Sequence, residues 1–410
     1  MTSTSRLLRQ WWSASDPKLL AQSESRLLDS LVKHTHVRKK FNIGGLNILE
    51  FNKAPAAAAD RTSNNQHIHP TIILTHGFGS GLGFFYRNIN DLLTSEKVSR
   101  VICIDWLGMG GSDRPPCWES PVRSLFQSSS SSNVNTRFSF CNSRFTPSRA
   151  VDFFLDPMEE LLQYNNNSNN QGHGFYFHPN EKICLVGHSL GGYLAARFAM
   201  RHSNNNDAIH ISKLILASPV GFQHPPPPGQ RLPFSNLPPA MRLLDALWSA
   251  NFTPQQIIRL MGEKRGRRMV ERALRGRISH LSPTDVDLLA EYFYHITVAP
   301  PSGEYAMNSL LEPAVASEGG VAGVYARESL GDGVMTNEML LSQEKESKIE
   351  SVKVLFGDRD WMSFNQSAAV KEMKEMQRKM GIDANVHVLP GAGHHLYLDN
   401  ADDFLRHVLD

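Results

Sequence analysis

The chain has 410 residues, 41% of them hydrophobic and 20% charged, a globular composition long enough to bury a large core. A formal net charge of +2 excludes the basic imbalance of a nucleic-acid binder, so no nucleic-acid partner is expected. Four cysteines, Cys103, Cys117, Cys141 and Cys184, have neither metal-ligand spacing nor the density of a disulfide framework, which points to a reducing compartment.

At the N-terminus, residues 1–34 read as a helical segment for lipid contact. Leu7, Leu8, Trp11 and Trp12 fall together at helical spacing between basic Arg6 and Arg9, and indole rings suit a membrane interface. The alternative is a helix packed on the core. Arg6 and Arg9 precede the first acid, Asp16, which leaves a mitochondrial address open beside a cytoplasmic one. Further on, six short runs have strand length. Residues 71–74 (TIIL) lead into HGFG, 101–105 (VICID) into WLGMGGS, and 183–187 (ICLVG) into HSLGG. Residues 214–217 (LILA) lead into SPVGF, 352–357 (VKVLFG) into DRDW, and 385–389 (NVHVL) into PGAGHH. Their middles are apolar without alternation, as in parallel strands covered on both faces. Helical patterns over 190–200 and 365–380 follow the third and fifth runs, so strand and helix alternate. The stretch 224–348 breaks this rhythm and reads as helices over 240–249, 253–261, 266–275 and 283–296. Two polar tracts, 115–148 and 164–174, read as disordered insertions. The expected architecture is an α/β, mostly parallel, doubly wound sheet in 35–222 and 345–410, carrying a helical cap in 223–344. No run reaches the ~18 apolar residues a bilayer span needs, so any membrane association is expected to be peripheral.

Gly187-His188-Ser189-Leu190-Gly191 fits G-x-S-x-G between a buried-type strand and a helix. A nucleophilic serine there sits on a strained turn, which demands small neighbours, and the fold expected is that of the α/β hydrolases. The Leu190 N–H at the helix start and the Phe78 N–H, in the His76-Gly77-Phe78-Gly79 loop, are the candidate oxyanion donors. After the fifth strand, Gly357-Asp358-Arg359-Asp360 offers two acids, Asp360 favoured and Asp358 the alternative, able to cap a turn. After the last, Gly393-His394-His395 offers two bases, with His394 favoured. The chain order is then Ser, Asp, His. His34 with His36, and His67 with His69, lack a third metal ligand, and no dinucleotide or phosphate loop is present, so no metal or cofactor is implied. Gly108 to Ser112 reads as an ordinary strand-end loop.

Longer stretches carry a resemblance. HGFGSGLGFFYRN from His76, DWLGMGGSDRP from Asp105, LVGHSLGGYLAARFA from Leu185, LWSANFTPQQIIRLMG from Leu247, YHITVAPPSGEYAM from Tyr294, GDRDWM from Gly357 and GAGHHLYLD from Gly391 resemble one group of α/β-hydrolase-domain proteins. The group holds lysophosphatidate acyltransferases, phospholipases and regulators of lipid-droplet lipases. The match looks closest to its plant-type members, and a yeast branch includes a mitochondrial cardiolipin deacylase. The resemblance implies Ser189 as nucleophile, Asp360 as acid and His394 as base. It also implies an H-x4-D acyltransferase motif from His394 to Asp399, with acyl-CoA as co-substrate; capping of the last helix is an equal reading of Asp399. Vertebrate regulators of the group lack the serine that this chain keeps.

An acyl group on Ser189 can leave for water or for a lysolipid hydroxyl, and transfer requires a dry site. Lys264, Arg265, Arg267, Arg268, Arg272, Arg275 and Arg277, opposed by Glu263 and Glu271, suggest contact with a lipid phosphate or an anionic membrane; a solvated helix face is the bland alternative. The leading expectation is a serine-dependent phospholipase or lysophospholipase, with acylglycerol lipase and lysophosphatidate acyltransferase activity as extensions, at a membrane or lipid-droplet surface. The alternatives are a non-catalytic activator of another lipase and a small-ester carboxylesterase.

Overall fold

Strands without alternation need cover on both sides, and they have it. The computed structural model describes residues 16–32, 36–53, 70–115, 146–163, 175–177, 181–202, 210–278, 280–317, 322–341 and 349–410. Leu7, Leu8, Trp11, Trp12, Cys117, Cys141 and nearly all of both polar tracts lie outside them. Eight strands form one sheet: β1 (His36–Ile43), β2 (Leu46–Lys53), β3 (Thr71–Thr75), β4 (Arg100–Ile104), β5 (Lys182–His188), β6 (His210–Ala217), β9 (Ser351–Gly357) and β10 (Asp383–Leu389). Their spatial order is β1-β2-β4-β3-β5-β6-β9-β10; the β1–β2 and β2–β4 pairs are antiparallel and the other five pairs parallel. Ile73, Ile102 and Leu185 join one apolar cluster, while their strand neighbours Ile72, Val101 and Val186 join the other. Alternate side chains point to opposite faces, so each face has its own core. Cys103 and Cys184 are buried, free thiols in that second core, and burial pushes Cys184 up to about 12.

The six strands read from sequence fall where expected, and three elements depart from the expectation. The β1–β2 hairpin turns through Gly44 and Gly45, both at positive φ (58° and 79°), a turn glycine adopts without strain. Its outer strand is charged and mostly exposed, which hides the apolar signal. The helix Pro147–Gln163 begins inside the tract taken as disordered to 148, and it buries Ala150, Phe154, Met158 and Leu161 along one face. Between β6 and β9 the chain makes a long excursion. Its helices Pro239–Ser249, Pro254–Leu260, Glu263–Arg277 and Pro283–Val298 match the four expected. A further helix, Gly303–Leu310, and a two-stranded hairpin of β7 (Leu311–Val315) and β8 (Ala322–Ala326) correct the all-helical reading of this stretch. Thr253 and Gln256 form a capping box at the second helix, and Ser282 caps the fourth.

Register positions the chemistry. Thr75 pairs with Ile104 on one side and Gly187 on the other, and Gly357 pairs with Leu389. The C-terminal ends of the parallel strands are therefore level, and the loops that follow them converge on one edge of the sheet, where open α/β sheets hold their ligands. Among the described residues, no helix is long and apolar enough to cross a membrane.

Candidate active site

Ser189 follows β5 directly and adopts φ 54°, ψ −117°, a conformation costly for a residue with a side chain. The surroundings hold it there. Its N–H donates to Ala217 O at 2.9 Å, and its own carbonyl accepts from Tyr193 N at 3.1 Å. The glycines of the motif are steric necessities: a Cβ on Gly187 would come within 2.3 Å of Gly191 O, and one on Gly191 within 2.3 Å of His76 O. The Ser189 hydroxyl lies 3.1 Å from His394 Nε2, and His394 Nδ1 lies 2.9 Å from Asp360 Oδ1. A serine, an imidazole and a carboxylate from three loops thus form one hydrogen-bonded line, able to draw the hydroxyl proton onto the ring.

Asp360 is buried, at 3% exposure. Burial pushes its carboxyl up, and hydrogen bonds from His394 and from Met362 N (2.9 Å) more than offset this, holding it below its ordinary value. The buried Ser218 hydroxyl adds to that lowering, although the pair falls short of a well-formed hydrogen bond. Ser218 itself sits at positive φ (48°) after β6, its N–H tied to Leu355 O at 2.7 Å. The competing acid has another use: Asp358 Oδ2 accepts from Gly391 N at 2.9 Å and joins the two loops that carry Asp360 and His394. The competing base also faces elsewhere. His395 Nδ1 meets Tyr397 Oη at 3.2 Å, and burial followed by the repulsion of His394 lowers its ring to about 3, so it is neutral.

Asp399 does not cap the last helix. Asn400 does, accepting from Asp403 N at 3.2 Å. The Asp399 carboxylate instead accepts from Gly393 N at 2.8 Å, and burial raises it. It braces the peptide next to His394. A residue the sequence reading passed over supports the same loop from the other side: His188, buried at 2%, donates from Nε2 to His394 O at 2.9 Å. Burial, with His394 and His395 nearby, lowers His188 well below the ordinary imidazole value, which keeps it neutral.

The Phe78 loop is anchored from beneath. His76 Nδ1 donates to Gly77 O (2.7 Å), Trp106 Nε1 donates to His76 O (3.0 Å), and Asp105 accepts from Leu82 N (2.7 Å) and Gly111 N (2.8 Å). A Cβ on Gly77 would fall 2.9 Å from Ser189 Cβ, so the loop runs alongside the serine. The candidate donor Phe78 follows Gly77 in this loop, and the candidate donor Leu190 opens a 12-residue helix. The exposed ring of Trp361, at 52% exposure, stands 4.9 Å from the His394 ring. The basic residues expected to meet phosphate lie on one helix of the excursion. Arg265, Arg268, Arg272 and Arg275 are exposed on the helix Glu263–Arg277, Arg275 pairs with Asp287 at 2.5 Å, and Arg267 pairs with Glu263 and stacks 4.3 Å over Tyr294.

A strained serine at a strand–helix turn, level strand ends and this loop order define a class, and the comparisons agree. The chain belongs to the alpha/beta hydrolase family, whose model matches residues 72–407. The "Probable 1-acylglycerol-3-phosphate O-acyltransferase" of Oryza sativa subsp. japonica is 28% identical over 96% of this chain and 81% of that protein. The 1-acylglycerol-3-phosphate O-acyltransferase of Arabidopsis thaliana is 27% identical over 97% and 81%, and 1-acylglycerol-3-phosphate O-acyltransferase ABHD5 of Homo sapiens 26% over 84% and 78%. Among solved structures, epoxide hydrolase VrEH1 of Vigna radiata shares the fold, with a TM-score of 0.50 and 16% identity over 91% of this chain and 96% of that one.

Proposed function

We propose that this chain is a serine-dependent lipid acyl hydrolase, a phospholipase or lysophospholipase with reach to acylglycerols, working through an acyl-enzyme on Ser189. The observation that carries the proposal is the hydrogen-bonded line from Ser189 through His394 to Asp360, on a serine held at φ 54°. In this mechanism Asp360 holds the His394 tautomer with Nδ1 protonated. His394 Nε2 takes the Ser189 proton as the oxygen attacks the acyl carbonyl. The Leu190 and Phe78 N–H groups meet the developing oxyanion, each such donor being worth about 3–4 kcal/mol in the transition state. His394 then protonates the departing alkoxide, and water repeats the sequence to release the fatty acid.

The names of the plant and human relatives support a second outcome at the same serine, transfer of the acyl group from acyl-CoA to the hydroxyl of lysophosphatidate. Asp399 serves either outcome equally, because it acts on the backbone of the His394 loop. Access from a membrane or droplet surface fits the excursion. Phe234, Leu243 and Leu244 are 53%, 61% and 61% exposed, and the basic helix with Arg265, Arg268 and Arg272 also carries exposed Met269. Apolar side chains beside cationic ones suit an anionic lipid interface.

The test is to give purified protein labelled phospholipid, and separately lysophosphatidate with labelled acyl-CoA, with Ser189→Ala and Asp399→Ala in parallel. Free fatty acid that disappears with Ser189→Ala is the expected result. Phosphatidate formation that survives Ser189→Ala and vanishes with Asp399→Ala would overturn the single-nucleophile mechanism.

A further inference from the structure

Trp361 stands out from its neighbours in the loop after β9. Asp360 before it is 3% exposed and Met362 after it 1%, whereas Trp361 is 52% exposed. The backbone holds it there. Asp360 N–H donates to Gly357 O at 3.2 Å, Ser363 N–H to Asp360 O at 3.0 Å, and Met362 N–H to Asp360 Oδ1 at 2.9 Å. The turn that fixes the catalytic carboxylate therefore also fixes the root of the indole. A tryptophan more than half in water forgoes much of the burial such a ring can gain. Its N–H is unused as well: the indole nitrogen has no hydrogen-bond partner among the described residues.

The ring stands against the base. Its centre lies 4.9 Å from that of the His394 imidazole, with the planes tilted by 47°. Nε2 of that imidazole lies 3.1 Å from Ser189 Oγ, so only one small ring separates the indole from the reacting atoms. The chemistry decides what meets Nε2. In acylation the ester's alcohol oxygen leaves the acyl carbon and takes the proton that His394 accepted from Ser189, so it must come within hydrogen-bonding reach of Nε2. In deacylation an acceptor hydroxyl stands in the same place. Its oxygen joins the acyl carbon, its proton passes to Nε2, and Ser189 Oγ takes that proton as it leaves. The oxyanion of the tetrahedral carbon turns instead to backbone N–H donors. A side chain beside the base therefore borders the alcohol part of the substrate.

We propose that Trp361 is a specificity-determining contact for the alcohol part of the substrate, its indole face against glycerol carbons and its N–H toward a glycerol oxygen. The assignment rests on the acyl-enzyme reading of Ser189, and it deepens that reading by naming what the leaving group touches. A ring with an apolar body and one polar handle suits a glycerol ester and gains little from a methyl ester. The same contact bears on the fate of the acyl-enzyme. Water needs no platform beside the base, whereas a glycerol hydroxyl must be held there to compete with it, so Trp361 favours transfer to such an acceptor. A ring that only shielded the Asp360–His394 pair from water would act on all esters alike.

The experiment compares the methyl ester and the monoacylglycerol of one fatty acid, using the full chain, Trp361→Ala and Trp361→Phe. Trp361→Ala is expected to lower the monoacylglycerol-to-methyl-ester ratio of kcat/KM about tenfold, the scale of one lost pocket contact. Trp361→Phe keeps an aromatic face and loses the N–H, and is expected to bring the ratio back to within about threefold of the unaltered chain. With glycerol added as acceptor, the yield of acylglycerol relative to fatty acid is expected to fall with Trp361→Ala in the same proportion. Should Trp361→Ala fail to fold, Trp361→Leu, which has apolar bulk without the flat face or the N–H, takes its place with the same expectation. Equal losses on both esters overturn the assignment and make Trp361 a shield of the base. Binding is read without turnover in the Ser189→Ala chain, each ester below its aggregation concentration, where Trp361→Ala is expected to shift the affinity ratio in the same direction. A chain that hydrolyses neither ester yet shows that shift would sink the hydrolase reading and leave the alcohol contact standing. An unmoved kcat/KM ratio, or an unmoved affinity ratio where neither ester is hydrolysed, overturns the contact.

Discussion

The strand-end loops and the excursion between β6 and β9 are built on different principles. In the loops, His76, His188, Ser218 and Asp360 are at most 3% exposed, and backbone hydrogen bonds tie each segment to the next strand. In the excursion, the helix Pro239–Ser249 buries no residue, and Leu243 and Leu244 stand 61% exposed. A site that must hold a proton path to a few tenths of an ångström belongs on the rigid part. A surface that must meet lipid belongs on the part that exposes apolar side chains. Chemistry and substrate encounter are therefore separable, and substitutions in one region should leave the other's function standing.

The largest effect belongs to the loops. Ser189→Ala should lower kcat for ester hydrolysis by about 10⁵-fold with little change in lipid binding. Asp360→Asn should cost about 10³- to 10⁴-fold, because the wrong His394 tautomer is then favoured, whereas Asp358→Asn should cost less than about tenfold. Steady-state kinetics on one soluble ester measures all three, and equal losses for the two aspartates would undo the assignment. In the excursion, the double change Leu243→Ser with Leu244→Ser should lower liposome flotation by about tenfold or more, since each exposed leucine can bury about 1.5–3 kcal/mol of apolar surface in lipid. The same variant should change unfolding free energy by less than about 0.5 kcal/mol, as surface changes do. Unchanged flotation would move lipid contact elsewhere on the chain.

Asp399→Asn comes next in size. It weakens the contact to Gly393 N–H, so kcat should fall about tenfold, and stability by about 1–2 kcal/mol, the scale of a hydrogen bond to a charged group. Hydrolysis and any acyl transfer should fall together; loss of transfer alone would give Asp399 a chemical role. The smallest effect is a pH slope. His395 is lowered to about 3 in the fold against an ordinary imidazole value of 6.5, so the unfolded chain takes up a proton first as pH falls. Its contribution to stability is complete above about 6.5 and declines as pH drops toward the folded value. His395→Phe, which suits the neighbouring Phe84 and Tyr397 rings, should flatten the acid limb of stability in that window, read by chemical denaturation at several pH values.

Sequence made the loops more legible than their supports. The six strands and the serine turn depend on adjacent residues, such as Gly187 and Gly191, whose spacing is visible in the chain. Asp358 and Asp360 follow the same glycine; the sequence favours Asp360, and the tertiary contacts show what each carboxylate holds, Asp358 the Gly391 N–H and Asp360 the His394 ring. His188 carries no local signature of bracing the His394 loop, 206 residues further on, and Asp399, six residues from Gly393, is visible in H-x4-D without any sign that it holds backbone. The β1 strand was hidden because an exposed edge has no need of apolar residues, and the helix Pro147–Gln163 because its start merges with a polar tract.

The most direct measurement is capture of the acyl-enzyme. Protein quenched during turnover of a lysophospholipid should carry the acyl mass on the peptide containing Ser189, and that adduct should be absent from Ser189→Ala along with the fatty acid product. Fatty acid released at an undiminished rate by Ser189→Ala, with no acyl group on that peptide in the unaltered chain, would contradict a serine nucleophile in this protein.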